Sequence, residues 1–184
     1  MARVRFAAYA GPLLLLLLGS SAHGPSPAAP WLEARPAAAV GWPVSSGLVV
    51  AEVVTGGASA SDEYVELYNK GAGTVPLNGW AFTDGISYEF GAGAVIPAGS
   101  YLVVAKDPNL LVAVYDNLVK GSNLFGPYSG ELDDHSERIR LSYPYMDPET
   151  DDVNMITVDE VTYYDGGRWP SWADGKGASM ELRD

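Results

Sequence analysis

From Gly47 onward the chain is written in short runs that alternate apolar and polar side chains, cut by Gly, Pro, Asn and Asp. Nothing else in the sequence restricts the fold as tightly. Successive residues of a β-strand point to opposite faces, so period-two alternation suits a strand with one face in a core and the other in water. Residues 137–143 show the pattern most cleanly, with Ile139, Leu141 and Tyr143 predicted inward and Arg138, Arg140 and Ser142 outward. In residues 63–68, Val65 and Leu67 take one side, and Tyr64, Glu66 and Tyr68 the other. Leu48–Val54 and Tyr101–Ala105 are almost continuously apolar and are expected to be buried strands. Residues 156–163 and 179–183 complete the set, the last with Met180 and Leu182 alternating against Ser179, Glu181 and Arg183. Short strands of this kind between turn residues predict an all-β, antiparallel β-sandwich. One short helix is expected: Asp107 suits its N-cap, Pro108 its first position, Leu110, Leu111 and Val114 share a face, and it should end near Tyr115.

The chain of 184 residues is long enough for one domain with a full core, but its start has a different composition. Arg3 and Arg5 precede an apolar segment with leucine at every position from 13 to 18, and Ser20 and Ala22 satisfy a small-x-small cleavage rule. Residues 1–22 are therefore expected to be a signal peptide cleaved after Ala22, with an uncleaved anchor as the alternative. The apolar stretch from Phe6 to Gly19 is short for a helix that must cross a hydrocarbon core of roughly 30 Å. No later segment is long enough, so no membrane insertion is expected once the signal is removed. The expected location is secreted, extracellular or in the cell envelope. The chain has no cysteine, which excludes a lipid-acylated anchor and leaves burial and strand pairing to hold the fold.

Residues 23–46 are expected to be a linker, because they hold Pro25, Pro27, Pro30, Pro36 and Pro43 and no apolar period. Trp31 and Trp42 sit in it, either docked on the domain or as contact residues of a tether. The formal net charge is −12, and loss of Arg3 and Arg5 makes the exported part more acidic still. Such a chain repels polyanions, so no nucleic-acid partner is expected. Solubility outside the cell and attraction for cations or a basic partner are both consistent with the charge.

With the strands laid out, a set of motifs falls into order. Glu52 lies in the first strand; DEYVELYN (62–69), VPLNGWAFTDG (75–85), YEF (88–90), IPAGSYLVVAKDP (96–108), SGELDDHSERIRL (129–141) and the run from Asp159 follow. Together they resemble the lamin-tail domain, an immunoglobulin-like β-sandwich found at the tail of nuclear lamins and in many exported bacterial proteins. The resemblance covers residues 47–184, and the leader and the acidic charge point to the exported bacterial branch. It implies a non-catalytic module that binds a surface protein or a cell-surface polysaccharide, of a kind commonly attached to enzymes or surface proteins. Two features depart from the bacterial pattern. Ala51-Glu52 stands where Asn-Glu is usual, and residues 143–155 (YPYMDPETDDVNM) make a longer connection than a short hairpin needs.

Several residue groups are candidates for chemistry. Asp147, Glu149 and Asp151 fall at positions 1, 3 and 5 of a calcium loop, but position 6 is Asp152 rather than Gly and position 12 is Val158 rather than Glu. This excludes an EF-hand and leaves two readings: a looser calcium site on Asp147, Glu149, Asp151 and Asp152, or a solvated acidic loop. Calcium is thus the one candidate cofactor, and calcium-dependent adhesion or carbohydrate binding the alternative function. His135 is flanked by Asp133, Asp134 and Glu137, and a Ser–His–Asp set with Ser136 or Ser129 can be drawn. No nucleophile elbow accompanies it, so a solvent-exposed turn is expected and a small hydrolase is the weakest reading. One histidine in the domain and no cysteine exclude a transition-metal cluster. Glu52 and Glu66 are expected to be rim or strand-pairing residues rather than a carboxylate pair for glycoside hydrolysis. No phosphate-binding glycine loop is present. Trp80, after an Asn-Gly turn, is expected in the core. Gly166, Gly167, Gly175 and Gly177 supply turn conformations, and Trp169 and Trp172 either cover one end of the sandwich or stack on a ligand.

Overall fold

The computed structural model describes residues 47–55, 60–164 and 180–181. The expected leader and linker with Trp31 and Trp42, the expected turn glycines Gly166, Gly167, Gly175 and Gly177, and the candidate ligand residues Trp169 and Trp172 lie outside the described residues. In chain order the strands are β1 (Leu48–Val54), β2 (Tyr64–Asn69), β3 (Val75–Pro76), β4 (Ala81–Asp84), β5 (Tyr88–Glu89) and β6 (Val95–Ile96). There follow β7 (Tyr101–Ala105), the helix α1 (Pro108–Val114), β8 (Leu124–Phe125), β9 (Ser136–Met146), β10 (Val153–Tyr164) and β11 (Met180–Glu181). One sheet runs β11-β1-β2-β7-β8 and the other β10-β9-β4-β5, with β3 and β6 as a small separate ribbon. Neighbouring strands pair antiparallel except β7 and β8, which are parallel.

The alternation in the sequence builds the core. Val65 and Leu67 of β2 and Leu102 and Val104 of β7 face Phe82 of β4, Ile139 and Leu141 of β9 and Tyr163 of β10 across the sandwich. Burial of each such side chain contributes about 1.5–3 kcal/mol. Two irregularities join the sheets. In β1 the register shifts between Val50 and Glu52, so Ala51 is an extra residue and Val50 and Val53 both reach the core. In β10 the register shifts between Thr157 and Asp159, and the Asp159 carboxylate accepts a 2.7 Å hydrogen bond from the Val50 amide. Bulge thus meets bulge, and an amide that β1 does not use in its ladder is satisfied from the opposite sheet.

Turn chemistry fixes the ends. Asn69 is fully buried; its amide donates to Gly73 O and Ile96 O, and its carbonyl oxygen accepts from Gly71 N. Asp107 caps α1 by accepting from Asn109 N, with Pro108 at the start and Tyr115 at the C-cap, as expected. Gly85 (φ +77) closes the β4–β5 connection where a Cβ would lie 2.5 Å from Ile139 Cδ1 and 2.8 Å from Arg138 O.

Several local expectations need correction. Leu110 (40 % exposed) and Val114 (70 %) are not on a buried helix face; α1 rests on Pro108 and Leu111 and leaves helical geometry at Tyr115, too short to bury a second stripe. Trp80 is only partly buried: it sits where β4 begins and packs beside Tyr143, ring centroids 5.7 Å apart. Ser142 is buried rather than outward-exposed: β9 lies between β4 and β10 there, with Ala81 and Thr157 opposite it, and its hydroxyl hydrogen-bonds that of Thr83 at 2.9 Å. Tyr64 and Glu66 are buried too, so β2 is covered on both faces at that end. Residues 143–155 do not form an extended loop. Tyr143 pairs with Ile156, Pro144 with Met155, Tyr145 with Asn154 and Met146 with Val153, so the two strands continue and only residues 147–152 turn. Aromatic and β-branched side chains favour this ladder. β4 pairs no further along β9 than Ser142, and beyond it Gly79 lies against the Pro144 ring, where a Cβ would come 3.1 Å from Pro144 Cγ.

Candidate functional site

Three places carry enough polar side chains to be tested for chemistry. The first is the sandwich end around the 132–137 turn. Glu63, buried just before β2, accepts from the Tyr128 hydroxyl at 2.7 Å and from Leu132 N at 3.0 Å through one carboxylate oxygen. Burial pushes the Tyr128 hydroxyl well above its ordinary value, and the carboxylate beside it adds to the shift. Asp133 accepts from His135 N and Ser136 N, which hold its carboxyl below the usual range. Glu137 accepts from Asp133 N at 3.1 Å and from the Tyr163 hydroxyl at 3.3 Å, and partial burial raises its carboxyl above the ordinary glutamate value. His135 is exposed, and its Nδ1 lies 3.6 Å from Asp133 Oδ1. Neither Ser136 nor Ser129 meets the imidazole: Ser136 gives its amide to Asp133, and Ser129 exchanges backbone bonds with Ser87. The residues drawn together by the hydrolase reading therefore build a turn, with no serine–histidine hydrogen bond among the described residues.

The second place is the outer face of the five-stranded sheet. Glu52 and Glu66 stand directly opposite one another on β1 and β2, and both are buried. They are strand-pairing residues, as expected, but lie beneath cover rather than on a rim. The Tyr64 hydroxyl donates to Glu52 at 3.3 Å; burial raises its pKa, with Glu52, Tyr115 and Glu66 adding. Glu181 of β11 continues the register row beside Glu52. One row further along the same face, Tyr68 and Tyr101 stack with centroids 4.5 Å apart.

The third place is the β9–β10 hairpin. Asp147, Glu149, Asp151 and Asp152 all fall on its tip. Asp147 Oδ1 accepts from Glu149 N, Asp147 N donates to Asp152 O, and Asp151 N to Asp147 O, with Asp151 itself at φ +59. The tip is thus a closed turn in which Asp147 serves the backbone. Among the described residues, no group of three or more His, Asp or Glu side chains converges to hold an ion. Further down, the solvent face of β9 carries Arg138 against Asp84 at 2.5 Å and Arg140 against Glu160 at 2.7 Å.

The strand order, the buried Glu63 and Asn69 and the capped helix assign structural places to the motifs of residues 62–69 and 96–108. A model of the lamin tail domain matches residues 43–165. The chain belongs to the lamin tail domain family. That family is immunoglobulin-like, in keeping with the sandwich and its single short helix among the described residues. A comparison with curated proteins gave no match. Within this lamin tail domain the most prominent functional candidate missed by sequence reasoning is the paired stem of the hairpin. Its signal was present in the alternation of Tyr143, Tyr145, Val153 and Met155, and was obscured by the prolines and acidic residues around it. No helix among the described residues is long and apolar enough to cross a membrane.

Proposed function

We propose that this lamin tail domain is a non-catalytic interaction module of the cell exterior, of the exported bacterial branch, and that it binds a protein partner. The observation that carries the reading is the use made of the polar groups in the family motifs. Glu63 holds Tyr128 and Leu132, Asn69 holds three backbone groups, and Asp107 caps a helix. These groups maintain a framework, and the framework presents loops and a strand edge to solvent, the surfaces on which binding modules act. The signal-like segment at residues 1–22 and the proline-rich stretch at 23–46 support export. The charge of −12 favours a cationic protein over any nucleic acid.

The test is covalent capture from the envelope of the cells that make the protein, with the chain as bait. A discrete protein, enriched over an unrelated acidic bait, is the expected result. Retention by polysaccharide alone, or capture that requires calcium and is lost when Asp147, Asp151 and Asp152 are changed to Asn, would replace protein binding with the adhesion reading. Hydrolytic turnover by the purified chain would overturn the non-catalytic assignment.

A further inference from the structure

The β9–β10 hairpin projects beyond the sheet that carries it. β4 follows β9 only as far as Ser142, whereas β9 and β10 remain paired to Met146 and Val153. On this arm the directly opposed pairs Met146/Val153 and Pro144/Met155 lie two residues apart and so share one face. Val153 is 56 % exposed and Met155 42 %. Apolar groups this accessible on a protruding ladder are not explained by the core of their own domain.

Among the described residues the edge is open in a defined place. β10 is the outer strand of its sheet among the described residues. Its bulge at residues 157–159 turns Asp159 inward to Val50, and a bulge of this kind blunts a strand edge. Beyond the bulge, residues 153–157 pair regularly with β9 and span about 17 Å, with alternate residues turning N–H and C=O groups outward. Methionine suits such a surface because its flexible, polarizable side chain adapts to a partner.

Charge selects the occupant. From Leu141 to Tyr164 the chain carries Asp147, Glu149, Asp151, Asp152, Asp159 and Glu160, and no lysine, arginine or histidine. A second copy would set two acidic arms against each other within a pair of chains each at −12, a like-charge arrangement that opposes association. A basic segment meets the opposite situation at the tip and along the strand.

Resting on the interaction-module reading above, we infer that the arm is the docking element, and that it takes an extended, basic polypeptide segment of a protein partner as an added strand along residues 153–157 of β10. Apolar side chains of that segment lie beside Val153 and Met155, and its lysines or arginines beside the acidic tip.

The test uses the whole chain and two synthetic octapeptides of the same apolar pattern, one with lysine at every second position and one with glutamate there, followed by fluorescence anisotropy. The lysine peptide should bind and the glutamate peptide should not. Binding should fall about tenfold or more in V153K/M155K, whose exposed sites leave the core untouched, and should weaken as salt is raised. Because that variant alters charge and shape together, the ligand is also changed: N-methylation of alternate backbone nitrogens of the lysine peptide should abolish binding to the unaltered chain. Absence of binding by the lysine peptide, equal binding of both peptides, or indifference to N-methylation overturns the inference, as does a concentration-dependent dimer joined through β10. Failure here separates from failure of the wider reading. If V153K/M155K still captures the native protein partner, the module stands and the arm falls; if the unaltered chain captures no protein, the module reading itself falls.

Discussion

Glu63 ties two distant parts of the framework together. Its one oxygen receives both the Tyr128 hydroxyl and the Leu132 amide in a buried setting. Glu63→Ala strands both donors and should cost about 3 kcal/mol in urea unfolding, whereas Glu63→Gln, which keeps an acceptor, and Tyr128→Phe should each cost about 1 kcal/mol. Glu137 gives a pH signature. Its carboxyl is raised by burial, so the folded state holds its proton more tightly than the unfolded chain does. The resulting stability is present at the acid end and is lost as pH rises from the ordinary glutamate range through the raised value. Glu137→Gln should flatten that part of the stability–pH curve and leave the fold at least as stable at neutral pH, measured by thermal melts across pH. Single residues were also where sequence reasoning was least complete. The alternation placed Val65, Leu67, Ile139 and Leu141 correctly, because pleat and burial act through nearest neighbours. It put Ser142 outward and left the burial of Tyr64 and Glu66 unassigned, because cover from elements distant in sequence leaves no mark on local alternation.

At the scale of elements, the two bulges and one glycine should govern stability. Asp159→Ala removes the acceptor for Val50 N and should cost about 1–3 kcal/mol, separating the sheets at that edge; hydrogen exchange at Val50 should rise with it. Gly85→Ala forces a Cβ against Ile139 and the Arg138 carbonyl at a positive φ and should cost about 3 kcal/mol in the same unfolding assay. The short strands and the capped helix were legible because their signals are local: apolar runs for β1 and β7, period-two alternation for β2 and β9, and Asp107-Pro108 for α1. The hairpin stem was not. YPYMDPETDDVNM carries two prolines and a cluster of acids that resemble loop composition, and only the pairing of Tyr143 with Ile156 and Met146 with Val153 makes it a ladder. Helix amphipathicity misled for a related reason: a helix of seven residues has room to bury Pro108 and Leu111 and little else.

Across the whole molecule, the described residues form a sandwich whose buried polar groups maintain its shape and whose most exposed paired element is an acidic, methionine-bearing arm. The candidate site was therefore visible in the sequence as composition, through the acidic run from Asp147 to Asp152, but not as geometry. The carboxylates left two readings open, a calcium site and a solvated acidic loop; the structure adds that Asp147 serves the turn backbone and that, among the described residues, no three acidic side chains converge there. The most direct measurement is photo-cross-linking in the cells that make the protein, with a photoreactive residue placed in turn at Met155, at Tyr101 on the outer face of the five-stranded sheet, and at Val114 on α1. One defined protein adduct from position 155, absent from positions 101 and 114, is the predicted result. No protein adduct from any of the three positions would contradict the binding function.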